Sequence, residues 1–145
     1  MGTKVNLGCG KLHKKGYLNV DIRPPADLIH NIARKPLPIT ADLIEADNIL
    51  EHLTNDQFIR AMNNIYHSVV SGGKFWFKVP DALNWPDGAY GDPTHERFFV
   101  PRSFLYFDLA KPQWKNYGSH YGLEGWNLES LKTDNRFFTC VLIRP

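Results

Sequence analysis

Three groups of residues have types and spacings that could do chemistry. Gly8-Cys9-Gly10 ends a short apolar run, Lys4–Leu7. Two glycines there permit a tight turn and let a ligand lie against bare backbone. Asp21 stands near the end of a second run, Tyr17–Ile22. A carboxylate there can accept hydrogen bonds from both hydroxyls of a ribose, or simply cap the turn that begins at Arg23-Pro24-Pro25. Together the two features describe a nucleoside site, with a glycine loop below and a ribose acid beside it. A G-x-G-x-x-G dinucleotide fingerprint would need glycine where His13 stands. Asp92 and His95 form the third group: an aspartate three residues away can orient an imidazole and support it as a base. The alternative for His95 is a loop histidine bonded to backbone. Glu51-His52 invites a metal or acid–base reading, but both residues fall just before a helix cap. Cys9 and Cys140 cannot form a structural zinc site alone, and no metal site is expected.

These residues need elements to hold them. Lys4–Leu7, Tyr17–Ile22, Asp27–His30 and Asp42–Ala46 read as four short strands. Thr54 with Gln57 three residues later makes a capping box, and Leu53 and Phe58 stand at hydrophobic-staple positions. Phe58, Met62, Ile65 and Val69 recur at helical spacing, so a helix is predicted over 55–71, stopped by Gly72-Gly73. Lys74–Val79 is then a strand ended by Pro80. A second helix starts with Pro101 in its first turn and carries Phe104, Leu105, Phe107 and Leu109. Two closing strands lie near Trp126–Leu131 and Phe137–Ile143, with Thr133-Asp134-Asn135 turning between them. The alternation predicts an α/β fold, a mainly parallel sheet covered on both faces, with an antiparallel C-terminal hairpin. Ligands of such sheets sit beyond the C-terminal strand ends. About nine residues separate Leu7 from Tyr17, whereas a crossover with a helix needs a dozen or more. The loop Lys11–Gly16 therefore replaces the first helix. Its Lys11, Lys14 and Lys15 either meet a phosphate or form a solvated loop.

Val5–Gly10, Leu18–Ile22 and Asn48-Ile49-Leu50-Glu51-His52-Leu53 resemble the small class I S-adenosylmethionine-dependent methyltransferases. That group shows an N-L-G-C-G loop, an N-V-D strand end and an L-E-H-L segment before a helix. Gly72-Gly73-Lys74 leading into a strand that ends Val79-Pro80, and Asp92-Pro93-Thr94-His95 before an aromatic run, also fit. The matches span roughly residues 4–107. The resemblance implies a Rossmann-like fold, S-adenosylmethionine as cofactor and S-adenosylhomocysteine as product. It implies that Asn6, Gly8, Cys9 and Gly10 line the methionine end and that Asp21 holds the ribose. Asn31 stands where relatives often have an aspartate facing the adenine amine. Asp47 and Asn48 would lie near the sulfonium. Relatives carry a helix before the glycine loop; here the first strand begins at about Lys4. A near-minimal version of the fold lacking that N-terminal helix is expected. Its site is open, or closed by a partner, a second copy of the chain, or the aromatic segment.

The 145 residues fit one domain by the usual prior of about 100–200 residues. Within it, 1–80 is the cofactor half, 81–125 the aromatic-rich substrate or cover segment, and 126–145 the closing strands. Net charge is +2 and the basic residues do not cluster near the aromatics, which disfavours nucleic acid as substrate. No apolar run of membrane-spanning length occurs, and a cytoplasmic location is expected. Nineteen residues are aromatic, and eleven of these fall between Trp85 and Trp126. Trp85, Tyr90, Phe98, Phe99, Trp114, Tyr117 and Tyr121, on a loop-rich stretch, suit sugar or planar rings or a partner surface. For Phe104 and Phe107 a secondary core is the better reading. The expected function is methyl transfer to a small-molecule or glycan acceptor. The alternative is a non-catalytic S-adenosylmethionine- or nucleoside-binding module acting with a partner chain.

Overall fold

The computed structural model describes residues 2–145. Seven strands, β1 (Lys4–Leu7), β2 (Leu18–Asp21), β3 (Leu28–Ile29), β4 (Ala41–Asp47), β5 (Val69–Pro80), β6 (Asn127–Thr133) and β7 (Phe137–Ile143), form one sheet. Their order is β3-β2-β1-β4-β5-β7-β6. The first five pair in parallel, while β7 runs antiparallel to both β5 and β6. Five strands therefore deliver their C-terminal ends to one edge, where the glycine loop, Asp21, Asn31 and Asn48 all emerge.

Helix α1 (Asn55–Ser68) begins as its capping box requires: Thr54 Oγ1 accepts from the Gln57 N–H, and Gln57 Oε1 accepts from the Thr54 N–H at 3.0 Å. Phe58, Ala61, Met62 and Ile65 are buried on one side of it. The helix stops at Ser68, earlier than its apolar spacing predicts. Val69 is already extended and opens β5, pairing with Ala41. Gly72 does take a left-handed conformation, φ 80°, but inside the strand rather than as the helix cap. The β-branched pair Val69-Val70 favours strand over another helical turn.

One face of the sheet presents Val5, Leu7, Ile44, Ala46, Phe75, Phe77, Val79, Phe138, Cys140 and Leu142, all buried. Helix α1 packs on it together with Phe99, Phe104, Phe107 and Trp126. Phe104 lies at the centre of this layer, with ring centroids 4.5 Å from Phe77, 5.1 Å from Phe99 and 5.8 Å from both Phe107 and Phe138. Its segment, Pro101–Phe107, is a 3-10 helix with proline in its first turn. Two short helices not foreseen from the sequence, α2 (Pro86–Gly91) and α3 (Pro112–Asn116), also start on proline. Proline's fixed φ suits that position.

The second face departs from the expected cover. No helix among the described residues lies between β1 and β4. Glu45, Trp76, Lys78, Thr139 and Val141 point to that side and stay half-buried. Ion pairs cross it: Lys14–Glu45 at 2.5 Å, Lys74–Glu129 at 2.8 Å and Lys78–Asp47 at 3.2 Å. The β1–β2 loop covers one end. There Asn19, 5% exposed, bonds to Asn6 Nδ2, the Lys14 N–H, the carbonyls of Lys14 and Tyr17, and Asp27. These bonds satisfy the loop backbone that a helix would otherwise satisfy internally.

Two outcomes follow for stability, read by chemical denaturation. Asn19→Ala strips partners from several buried polar groups and costs at least about 2 kcal/mol. Phe104→Ala costs about 3–5 kcal/mol, whereas Tyr117→Ala, at a half-exposed ring, stays within about 0.5 kcal/mol. A Phe104 cost equal to that of Tyr117 would refute the placement of this aromatic layer in the core.

Candidate functional site

A cavity of about 340 Å3 opens at the C-terminal strand edge, within the size range of small-molecule sites. Leu7, Ile22, Ile32, Ala33, Ile49 and Leu53 supply apolar wall, and Asp21, Asn31, His52 and Gln57 supply polar groups. Gly8 forms part of the floor. A Cβ built on it would lie 2.1 Å from Ile49 Cδ1, and its φ is +71°. Both the space and the backbone conformation require glycine there.

Asp21 closes the loop from the side. Its Oδ2 accepts from the Gly10 N–H at 2.9 Å and its Oδ1 from the Arg23 N–H at 3.1 Å. A carboxylate has about four acceptor sites, so each oxygen keeps one for a ligand. Asn31 also lines the cavity. Its Oδ1 already accepts from the Ala33 N–H at 3.0 Å.

The other residues singled out in the sequence sit elsewhere. Asn6 is buried and turned to the second face of the sheet, donating to the Leu12 carbonyl and Asn19 Oδ1 at 2.9 Å. Cys9 is buried beside Pro25, and burial with Asp21 nearby raises its thiol pKa. Gly10 touches the site through its bond to Asp21. Asp47 pairs with Lys78. Asn48 follows at φ 55°, its N–H bonded to the Lys78 carbonyl at 2.9 Å. Its Oδ1 is buried without a hydrogen-bond partner. A left-handed asparagine with an orphaned acceptor marks a strained position beside the cavity floor.

No residue of 81–125 lines the cavity. This segment instead meets it through one junction. His95 Nδ1 lies 2.7 Å from the Ala89 carbonyl, which can only accept, so Nδ1 carries the proton. The backbone, rather than Asp92, orients this ring. Asp92 Oδ2 stands 3.6 Å from His95 Nε2, beyond hydrogen-bond distance. Asp92 Oδ1 accepts from the hydroxyl and N–H of Thr94, and these bonds lower its pKa. His95 packs edge-on against His52, with centroids 4.9 Å apart, and His52 lines the cavity.

Glu51 lies beneath these rings. It is 2% exposed, and neither carboxylate oxygen has a hydrogen-bond partner. Burial, aided by Asp47 and Asp92, pushes its pKa up to about 7 against the smaller opposing pulls of its own backbone N–H and Lys78. Its backbone carbonyl accepts from Glu96 and Arg97, tying the Leu50–His52 turn to the loop that carries His95.

The aromatic residues divide between two settings. Phe99 is core, Trp114 packs against the core, and Trp85 covers Phe137. Tyr90 and Phe98 stack in solvent with centroids 4.3 Å apart. Tyr106, Tyr117 and Tyr121 form a looser set at 6.2–6.4 Å. Ile22, His30, Ile32, Ala33, Leu53, Gln57 and Ile49 line the cavity without being among the site residues expected from the sequence. The glycine at position 8 was the available signal for a bulky neighbour.

No family model and no curated protein matches the sequence. Solved structures match its fold. N-methyltransferase NodS from Bradyrhizobium japonicum WM9, in complex with S-adenosyl-L-homocysteine, is 13% identical with a TM-score of 0.58, covering 99% of this chain and 78% of its own. The 1,6-didemethyltoxoflavin-N1-methyltransferase of Burkholderia thailandensis, holding 1,6-didemethyltoxoflavin and S-adenosylhomocysteine, is 10% identical with a TM-score of 0.67, covering 99% and 71%. A complex between the Haloferax volcanii Trm112 methyltransferase activator and a candidate methyltransferase matches at 12% identity and TM-score 0.63, covering 99% and 82%. The fold is that of the class I S-adenosylmethionine-dependent methyltransferases. No helix among the described residues is long and apolar enough to cross a membrane.

The Gly8–Ile49 contact is directly testable. Gly8→Ala destabilises the chain more than Gly10→Ala, because a Cβ at Gly10 meets open space. Ile49→Ala in the Gly8→Ala background recovers part of the loss. A double-mutant cycle by denaturation measures this; zero coupling would show that the floor is not built this way.

Proposed function

We propose that this chain binds S-adenosylmethionine in the cavity and transfers its methyl group to a small-molecule or glycan acceptor. The carrying observation is the conjunction of the Gly8 floor with the Asp21 carboxylate at one end of the cavity. The glycine loop lets a ligand approach the backbone, and the two free acceptor sites of Asp21 suit the vicinal hydroxyls of a ribose. Ile22, Ile32 and Ala33 offer an apolar slot for a flat base, with the amide of Asn31 at its edge. Asn48, whose buried Oδ1 has no partner, is assigned to the other end, nearer the methyl, while Gly10 stays beside Asp21 and Cys9 packs under the loop against Pro25. Asn6 supports the loop from behind, and Asp47 is held by Lys78.

When bound, the cofactor supplies a methyl already activated on a sulfonium. The chain's own residues then have to place an acceptor in line and keep water out. Orientation of this kind can account for about 7–11 kcal/mol of a barrier. A base is required only for a hydroxyl or protonated amine. The His95–Asp92 pair proposed for that role stands one ring behind the cavity, whereas His52 lines it. The exposed stacked pair Tyr90–Phe98 suits the face of a sugar or planar ring.

The half-exposed second face of the sheet favours a second reading, in which the chain works with a partner covering Trp76 and its neighbours. Methyl transfer only after addition of such a partner would support that reading over the first.

The two are separated from other nucleotide chemistry by thermal shift. S-adenosylhomocysteine raises the melting temperature through mass action, Asp21→Ala removes most of the rise, and His95→Ala keeps it. A shift with NAD but none with S-adenosylhomocysteine would overturn the proposal.

A further inference from the structure

Glu51, His52 and His95 bring one donor atom each to one place, where the three lie within 4.8 Å of one another. Two further observations say what that place is for. First, Glu51 is 2% exposed and both of its oxygens lack any hydrogen-bond partner. Leaving a buried carboxylate unsatisfied is costly, so buried charges are normally paired or bound to metal. Second, both imidazoles are held in the same tautomer. His95 gives its Nδ1 proton to the Ala89 carbonyl. The Thr94 hydroxyl is 2.7 Å from Asp92 Oδ1 and donates there, which leaves its oxygen as acceptor for His52 Nδ1 at 3.2 Å. Each ring therefore presents a bare Nε2 lone pair. His52 Nε2 is 3.7 Å from Glu51 Oε1, and His95 Nε2 faces Asp92 Oδ2 at 3.6 Å. Fixing the unligated nitrogen with a carbonyl or hydroxyl is how metal-binding histidines are oriented.

We propose that Glu51, His52 and His95 bind one divalent transition-metal ion of the zinc class at the rim of the cavity. Two imidazole nitrogens and one carboxylate suit zinc or iron(II) better than magnesium or calcium, which prefer all-oxygen shells. With bonds of about 2.0–2.1 Å, tetrahedral donors stand about 3.4 Å apart. The site thus closes by roughly 1 Å, and the exposed His52 side chain has room to turn. Three protein donors leave a position open, the arrangement of catalytic rather than structural zinc. Residues 51–52 and 95 lie more than forty positions apart in the sequence, and the turn formed by Leu50–His52 brings them together through the Glu51 carbonyl, which accepts from the N–H groups of Glu96 and Arg97.

The test uses the full chain, stripped with a chelator and titrated with Zn2+ by calorimetry, with bound metal counted by elemental analysis. One ion per chain is expected. His52→Gln, His95→Gln and Glu51→Gln each lower affinity at least about tenfold, and Thr94→Val, acting through His52, lowers it about 10–100-fold. His67→Gln and Cys9→Ser leave it unchanged. Circular dichroism checks the fold of each variant; should Glu51→Gln fail to fold, His52→Gln at an exposed side chain carries the test. Absence of Zn2+ binding, binding that survives His52→Gln and His95→Gln, or a preference for Mg2+ would each overturn the proposal. S-adenosylhomocysteine binding is measured separately on the metal-free chain. Loss of that binding counts against the methyltransferase reading alone, and loss of zinc binding against this one alone.

Discussion

The structure depends on the Asn19 amide. A parallel crossover normally carries its own helix, which satisfies its backbone internally. Between β1 and β2 there is no room for one, and ten residues must turn back with their polar groups facing protein. The Asn19 side chain supplies the missing partners. It accepts from the Lys14 N–H, donates to the carbonyls of Lys14 and Tyr17, and is itself held by Asn6 and Asp27. With that loop fixed, the Gly8 N–H meets the Val20 carbonyl and Gly10 stands where Asp21 can clamp it. The cavity follows from the clamp. Its floor has the shape it has because Ile49 occupies the volume a side chain at position 8 would need.

Much of this was legible in the chain. The capping box at Thr54 and Gln57, the succession of short strands along the chain, the closing hairpin and the absence of a helix between β1 and β2 are all local signals, and they are where the sequence puts them. The cover of the second face was misjudged on a signal that was present. Lys74-Phe75-Trp76-Phe77-Lys78 alternates, and alternation marks a half-solvated strand rather than one buried twice. Helices α2 and α3 are too short for periodicity to register, although Pro86 and Pro112 stood at their starts. Asn6 shows the limit of motif reading. Its place beside the glycine loop is correct in sequence, but strand alternation turns its side chain to the far face. Nothing local could have joined Glu51 to His95, because their meeting depends on a loop returning over the Leu50–His52 turn.

The aromatic excess has two separate origins. Phe99, Phe104, Phe107 and Trp126 complete the core over β5 and β7, in place of the longer helices that a chain this size does not contain. Tyr90, Phe98, Tyr117 and Tyr121 are exposed. Rings that look alike in composition thus divide into a structural layer and a surface set, and the 3-10 helix from Pro101 to Phe107 lies between them.

The cavity is walled by residues 7–57, and 81–125 reach it only through the junction of His95 and Thr94 with His52. Such a separation has an evolutionary meaning. Changes at the exposed rings Tyr90 and Phe98 leave the floor and its carboxylate clamp untouched, so the outer loops can drift toward new chemistry while the inner half is inherited intact. A combinatorial library confined to those loops would explore recognition without risking the scaffold.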